Sequence, residues 1–335
     1  MRDYRASLWP RPEKLNTDNG EERRLGLELE FIGLDVERTV ERVEHCFGGE
    51  PARISDYEYE VRDGRLGDIR VELDFSYLKK MGREKEAPDR DKSQAGELAE
   101  TVLAEIAKHV VPVEVVGPPV PFGELWRFND LIADLRDAGA KGTRHSPQYA
   151  FGLHMNPELP DTQASTVLAY LQAFLCLYDW LKRDGQVDWS RRITPYIDSV
   201  PKEYLRRVLA TDYAPDQDQL IDDYLALNAT RNRAMDMLPL FCHLDEERVR
   251  GKVDDDRVQA RPTLHYRLPN CQIDEPDWSL SVPWRRWLQV EALAADREKL
   301  QAIRKACLDC LRSPGGSMLN DWAEESSRWL VPELL

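Results

Sequence analysis

Arg24-Leu25-Gly26-Leu27-Glu28-Leu29-Glu30-Phe31 alternates with a period of two. Successive side chains of an extended strand point to opposite faces, so Leu25, Leu27, Leu29 and Phe31 form one apolar face while Gly26, Glu28 and Glu30 share the other. At a rise of ~3.3 Å per residue the two glutamates stand about 6 to 7 Å apart. Carboxylates at that spacing repel unless water screens them or a cation sits between them. These eight residues alone fit a solvated strand face and a divalent-metal site equally well.

Other segments repeat the design. Tyr57, Tyr59 and Val61 alternate with Glu58, Glu60 and Arg62, and beyond a loop at 63–68, Ile69, Val71 and Leu73 alternate with Arg70, Glu72 and Asp74, which predicts a hairpin. Glu58 and Glu60 read as its surface. Val113 and Val115 flank Glu114 just before Gly117-Pro118-Pro119, which ends a strand by removing backbone donors. Tyr149, Phe151, Leu153 and Met155 alternate with Ala150, Gly152, His154 and Asn156, and Leu264, Tyr266 and Leu268 with Thr263, His265 and Arg267. Solvated strand faces are rich in Lys, Thr, Ser and Gln, whereas these carry Glu, Asp, His, Asn, Arg and small residues. That bias predicts a ligand against the sheet. With helices on the apolar side, the pattern predicts an antiparallel α+β architecture.

Helical periodicity fills the remainder. A stretch through Leu98, Val102, Leu103, Ile106 and Val110 follows a charged loop at 82–93 that could close over substrate. A long apolar helix spans 164–181, capped by Asp161 or Thr162 and ended by Gly185, and Gln172, Asp179 and Lys182 mark it as a core helix rather than a membrane span. A further helix runs through Leu220, Ile221, Tyr224 and Leu225, and a last one from Trp284 or Arg285 to Leu311. The acidic run from Asp245 to Arg257 reads as a solvated loop. Residues 1–22, polar and containing Pro10 and Pro12, read as an extended arm, and 23–335 as one domain.

A chain of 335 residues can bury a large core. Its formal charge of -15 repels a phosphate backbone, which argues against nucleic-acid binding. No signal peptide or membrane anchor is evident, and six scattered cysteines read as reduced thiols, so a cytoplasmic location is expected. Cys307 and Cys310 fall in a helical run without a second such pair, which favours packing over zinc.

Glu28, Glu30, Glu72, Asp74 and Glu114 supply hard oxygen ligands suited to Mg²⁺ or Mn²⁺. His154 can ligate metal or touch phosphate. Arg267, Arg231 and Arg233 offer guanidinium forks for phosphate oxygens. His154 and His265 can equally be satisfied strand histidines, and Arg231 and Arg233 can bridge to Asp222, Asp223 or Asp236. Neither a Gly-X-X-X-X-Gly-Lys-Ser/Thr loop nor a Gly-X-Ser-X-Gly elbow occurs.

In order, Gly26-Leu-Glu28-Leu-Glu30-Phe31, Asp74-Phe-Ser76, Glu114-Val-Val-Gly-Pro-Pro119, Gly152-Leu-His154-Met-Asn156 and His265-Tyr-Arg267 resemble the amidoligases. That family lies within the carboxylate-amine ligase superfamily of glutamine synthetase and glutamate-cysteine ligase. The resemblance implies a curved antiparallel sheet with helices on its convex face. It also implies ATP-dependent amide-bond formation through an acyl phosphate, joining a small-molecule or peptide carboxylate to an amine. It assigns Glu28 and Glu30 to metal, with Glu72, Asp74 and Glu114 as further metal or amine contacts. Gly152 and His154 fall near metal and nucleotide, and Arg267 on the phosphates. Two positions depart from the family pattern: Asn156 stands where a second histidine is usual, and His265 where an acid often occurs. The alternatives are a nucleotide-binding scaffold without turnover and a metal-dependent phosphohydrolase.

Overall fold

The computed structural model describes residues 8–74, 111–143, 152–187, 198–312 and 318–335. The expected loop at 82–93 and the helix after it lie outside those residues.

Strand β1, Arg24–Phe31, is followed by helix α1, Val36–Phe47, and strands β2, Glu50–Ser55, β3, Glu58–Arg62, and β4, Ile69–Leu73. Next come β5, Val113–Val116, the two-residue β6, Val120–Pro121, helix α2, Phe128–Asp137, and β7, Leu153–Pro157. The long α3, Ala164–Asp184, precedes α4, Lys202–Val208, α5, Gln217–Asn228, β8, Met235–Asp236, α6, Leu238–Leu244, and α7, Glu246–Arg250. The chain then runs through β9, His265–Tyr266, to α8, Ser281–Ala295, α9, Arg297–Arg312, and α10, Met318–Ser327.

The strands form one open sheet in the order β2-β3-β4-β5-β1-β7-β9-β8, with β6 also paired to β1, and every ladder is antiparallel. The α+β architecture expected from alternation is therefore present. β1 sits at the centre because its partners divide its length: β5 takes Glu28 to Phe31, and β6 takes Arg24 and Leu25. Between them Gly117 donates its N–H to Leu27 O at 2.8 Å. A Cβ at Gly117 would lie 2.7 Å from the Phe128 ring, so this crossing requires glycine.

The odd-numbered residues of β1 are buried with Ile69, Val71, Val113, Val115, Leu153 and Met155. Helices cover this apolar face. α1 carries Val36, Val40, Val43 and Phe47 inward at helical spacing, packs on β2, β3 and β4, and is capped by Asp35, whose carboxylate accepts from Arg38 N at 2.8 Å. α3 begins at Ala164 and ends before Gly185, as expected, and packs against α8, α9 and α10. Among the described residues it is the one helix long and apolar enough to cross a membrane, yet most of it is buried inside the protein.

The single helix expected up to Leu311 is two helices. Asp296 breaks the run in an extended conformation (ψ 96°), and its carboxylate accepts from Lys299 N at 2.9 Å, so it caps the second helix. Within the expected acidic loop, Asp245 likewise caps the short α7 through Arg248 N. Cys307 is buried in α9 and Cys310 half-buried, and neither forms a disulfide.

Immediately before β1, Arg23 is completely buried. All five of its N–H donors are used: two on the Glu291 carboxylate at 2.7 and 2.9 Å, two on Glu158 O at 2.6 and 2.9 Å, and one on Lys14 O at 2.7 Å. Glu291 also accepts from Tyr170 OH at 2.5 Å and Trp287 Nε1 at 2.8 Å. Nearby, Trp9 stacks on Trp284, whose indole donates to Pro10 O at 2.8 Å. The segment before β1 is thereby fixed to α8.

Candidate active site

Opposite the helices, the sheet carries a continuous row of acids. Register sets Glu30 beside Glu114, Glu114 beside Glu72, and Glu72 beside Glu58. One step along, Glu28 pairs with His154, and next to that Gly26 pairs with Asn156. On the far side of β7, Met155 pairs with Tyr266, which places His265 and Arg267 on the face that holds His154 and Asn156. Asp236, paired with His265, extends the row.

Glu28 is the hub. Its Oε2 accepts from His154 Nδ1 at 2.8 Å and its Oε1 from Asn156 Nδ2 at 2.8 Å, while Arg261 Nη1 lies 3.6 Å from Oε1. The Asn156 amide, oriented by that carboxylate, turns Oδ1 to His265 Nδ1 at 2.6 Å. The carbonyl oxygen can only accept, which favours the His265 proton on Nδ1, whereas an Arg261 N–H directed at the same nitrogen favours the other tautomer. Arg261 Nη2 lies 3.1 Å from that nitrogen while its Nη1 faces Glu28. His154 and His265 meet edge to face with centroids 5.2 Å apart. Glu30 lies 3.5 Å from His154 Nε2 and accepts from Gly152 N at 2.7 Å.

The electrostatics divide the row. Burial acts to raise the Glu28 carboxyl, but the His154 hydrogen bond and the cationic groups around it hold it well below the usual carboxylate range. Burial, followed by the charges of Glu28, Glu30, Asp74 and Glu72, pushes Glu114 well up. Glu72 moves up too, through burial and its acidic neighbours, with Arg70 opposing. Burial pushes His265 well down, against the pull of Glu28. A cation placed among these carboxyls would relieve both the desolvation and the mutual repulsion that raise them. Two trios could hold one: Glu28, His154 and His265, and Glu30, Glu114 and His154, each offering ligand atoms within 4.8 Å of one another.

Guanidiniums gather at the β8–β9 end. Arg267 donates from Nη1 to Arg231 O at 2.5 Å, and burial together with the Arg267 charge lowers the Arg231 pKa. Asp236, fully buried beside them, is pushed up by burial although Arg267, Arg231 and Arg261 pull it down. Two half-buried cations side by side suit an oxyanion.

Of the residues singled out in sequence, Glu28, Glu30, Glu72, Glu114, Gly152 and His154 share the acidic face, and Arg231 and Arg267 lie together at its β8–β9 end. Asp74, the last described residue of its segment, donates its backbone N–H to Pro112 O and adds its charge to the field at Glu114. Arg233 sits elsewhere: its guanidinium is bound to Asn228 Oδ1 at 2.9 Å and to the carbonyls of Ser199 and Leu227, which ties the end of α5 to the following loop. Neither Asp222 nor Asp223 pairs with Arg231 or Arg233; they pair with Arg248 and Arg207. Asn156 and Arg261 were not among the candidates. Arg261, Thr263, His265 and Arg267 share one parity, so continued alternation was the signal that could have found Arg261.

A family model described as "Putative amidoligase enzyme" matches residues 21–289. Searches of curated proteins and of solved structures give no match.

Proposed function

The chain belongs to the amidoligase family, and on that premise we propose that it is an ATP- and divalent-metal-dependent carboxylate-amine ligase. The observation that carries this reading is the buried acidic row, whose charge exceeds its local cations and which runs directly into the Arg231–Arg267 pair. Mg²⁺ or Mn²⁺ held by Glu30, Glu114 and neighbouring groups would neutralise triphosphate oxygens and polarise the transferring phosphoryl. Arg267, Arg231 and Arg261 would hold the phosphate oxygens as charge shifts during transfer.

A carboxylate oxygen of the acceptor attacks the γ-phosphorus, the bond to the bridging oxygen breaks, and ADP leaves. The amine nitrogen then attacks the acyl carbon, inorganic phosphate departs, and the carboxylates at the Glu72 and Asp74 end take the amine's proton. The substrates are a small-molecule or peptide carboxylate and an amine. Gly26 suits such a face, since its missing side chain leaves the sheet low beside Asn156. Six cysteines outside any disulfide accord with a cytoplasmic setting.

The test is thermal unfolding with a non-hydrolysable ATP analogue and metal, on wild type and on Glu30→Gln/Glu114→Gln. At about a hundred times its dissociation constant the ligand should add roughly 2.7 kcal/mol to wild type and nothing to the variant. ADP release that requires a carboxylate, with hydroxylamine trapping the acyl group as a hydroxamate, is the expected turnover signal. No shift with any metal, or steady ATP hydrolysis indifferent to carboxylate and amine, overturns the ligase reading.

A further inference from the structure

Behind the sheet, a separate set of metal-ligating side chains lies where α1 meets α2. His45 and Cys46 stand in the last turn of α1, and Asp134 lies on α2, which packs against it. An imidazole, a thiol and a carboxylate there offer ligand atoms within 4.8 Å of one another. None of the three belongs to the acidic row. Thiolate, imidazole and carboxylate together suit Zn²⁺, whereas Mg²⁺ takes oxygen ligands. We propose that His45, Cys46 and Asp134 form a Zn²⁺ site that ties the end of α1 to α2, with water in the fourth position. The proposal does not depend on the ligase reading.

Four ligands about 2.0 to 2.3 Å from one ion stand about 3.3 to 3.8 Å apart at the corners of a tetrahedron. His45 Nδ1 lies 3.4 Å from Asp134 Oδ1, long for a hydrogen bond but suited to two ligands of one ion. Nδ1 is the ring edge turned to that carboxylate, so an ion between them takes the Nδ1 lone pair and leaves the proton on Nε2 of a mostly exposed ring. Asp134 Oδ2 is shielded from solvent without a hydrogen bond, and Arg42 Nε lies 3.8 Å from it. Arg42 thus sits by the other oxygen and leaves Oδ1 to the ion. Next to Cys46, Phe47 meets Phe128 at the start of α2 edge to face, with centroids 5.9 Å apart, which fixes the two helices relative to each other. Charge favours a cation there as well. The last turn of α1 presents the negative end of the helix dipole, and Asp130, one turn before Asp134 on α2, adds its charge to the field at Cys46. Burial, followed by the charges of Asp134 and Asp130, pushes the Cys46 thiol up to about 11, with Arg42 opposing. Zn²⁺ offsets those carboxylates and takes the sulfur as thiolate: the S–H bond breaks, the Zn–S bond forms, and the proton leaves to solvent.

The experiment titrates reduced, metal-free protein with Co²⁺ as a spectroscopic stand-in and then displaces it with Zn²⁺. Wild type is expected to show thiolate-to-cobalt charge transfer in the near ultraviolet and the strong visible bands of a four-coordinate ion, both vanishing as Zn²⁺ enters. Cys46→Ser should abolish the charge-transfer band and weaken Zn²⁺ binding by about 100-fold or more, and His45→Ala should keep the band while weakening binding by about tenfold or more. At about pH 8, Zn²⁺ should release about one more proton per ion from wild type than from Cys46→Ser. The wild-type spectrum tests the proposal even if a variant fails to fold. Cobalt bound without a thiolate band, or a band that survives in Cys46→Ser, overturns it. An ion held by the acidic row gives no sulfur band, so failure here leaves the ligase reading standing, and loss of nucleotide-induced stabilisation leaves this site standing.

Discussion

Strand β1 has a buried ionic cluster at each end of its logic, and the two are built in opposite ways. Just before it, Arg23 meets Glu291 in a cluster where every guanidinium N–H has an acceptor and the carboxylate takes four donors, counting Tyr170 and Trp287. A few residues on, Glu28, Glu30 and Glu114 crowd with Glu72 and Asp74, and burial together with their mutual repulsion pushes Glu114 well up. The first cluster is closed and holds the chain together. The second is open, and its surplus charge weakens the fold unless a cation, as proposed above, sits among its carboxylates. Burial alone therefore does not separate structural from functional charge; the balance of partners does.

Removing the balance where it is complete should have the largest effect. Glu291→Ala leaves Arg23 buried without its counter-ion and should cost about 3–5 kcal/mol, read by denaturant unfolding, while Mn²⁺ binding by the folded protein stays unchanged. A loss below about 1 kcal/mol would place the Arg23 cluster among weak surface-like pairs and dissolve the contrast.

On the open side the sign should reverse. Glu114→Gln removes one of the crowded charges, so the metal-free midpoint should rise by about 2 °C, on the order of 1 kcal/mol, even as metal affinity falls. The same contrast has a pH form. A carboxyl whose pKa is raised by folding binds more protons when folded, so metal-free wild type should lose stability as pH climbs above the usual carboxylate range. Glu114→Gln should flatten that decline, and Mn²⁺ should abolish it in wild type. Glu28 does not offset the trend, because its lowered pKa places its own dependence below the usual carboxylate range, with stability lost as pH falls. Rising stability over the same pH interval would contradict the open-cluster description. The smallest effect is expected at Glu72→Gln, with the same sign as Glu114→Gln but no more than about half its size, since Arg70 lies 3.1 Å away and offsets part of the repulsion.

Much of the sheet was legible because its code is local. β1, the β3–β4 hairpin, β5 and β7 each alternate apolar with polar or small residues, so strand and face came together from a two-residue repeat. β2 escaped because Glu50–Ser55 is an exposed edge strand with no apolar face to announce it. α1 was missed although Asp35 and its apolar spacing mark it, and Asp296 and Asp245 were capping signals inside stretches read as continuous helix and as loop. At the site, residue type found most of the carboxylates, but partnership could not be read. Nothing in Asn-Ala-Thr-Arg-Asn-Arg says that Arg231 faces Arg267 while Arg233 turns to Asn228 and two carbonyls. Asn156 looked like a departure from a histidine pattern, yet its amide is the link between Glu28 and His265.

The Arg23–Glu291 pair also bears on how the chain is made. Its partners lie 268 positions apart, so at a synthesis rate of about 5–20 residues per second the cation would wait roughly 15 to 50 s for its counter-ion. Through that interval a nascent β1 could pair with its neighbours, but the segment leading into it would have no buried place to settle. The clasp between Arg23 and α8 can therefore close only after most of the polypeptide has been made.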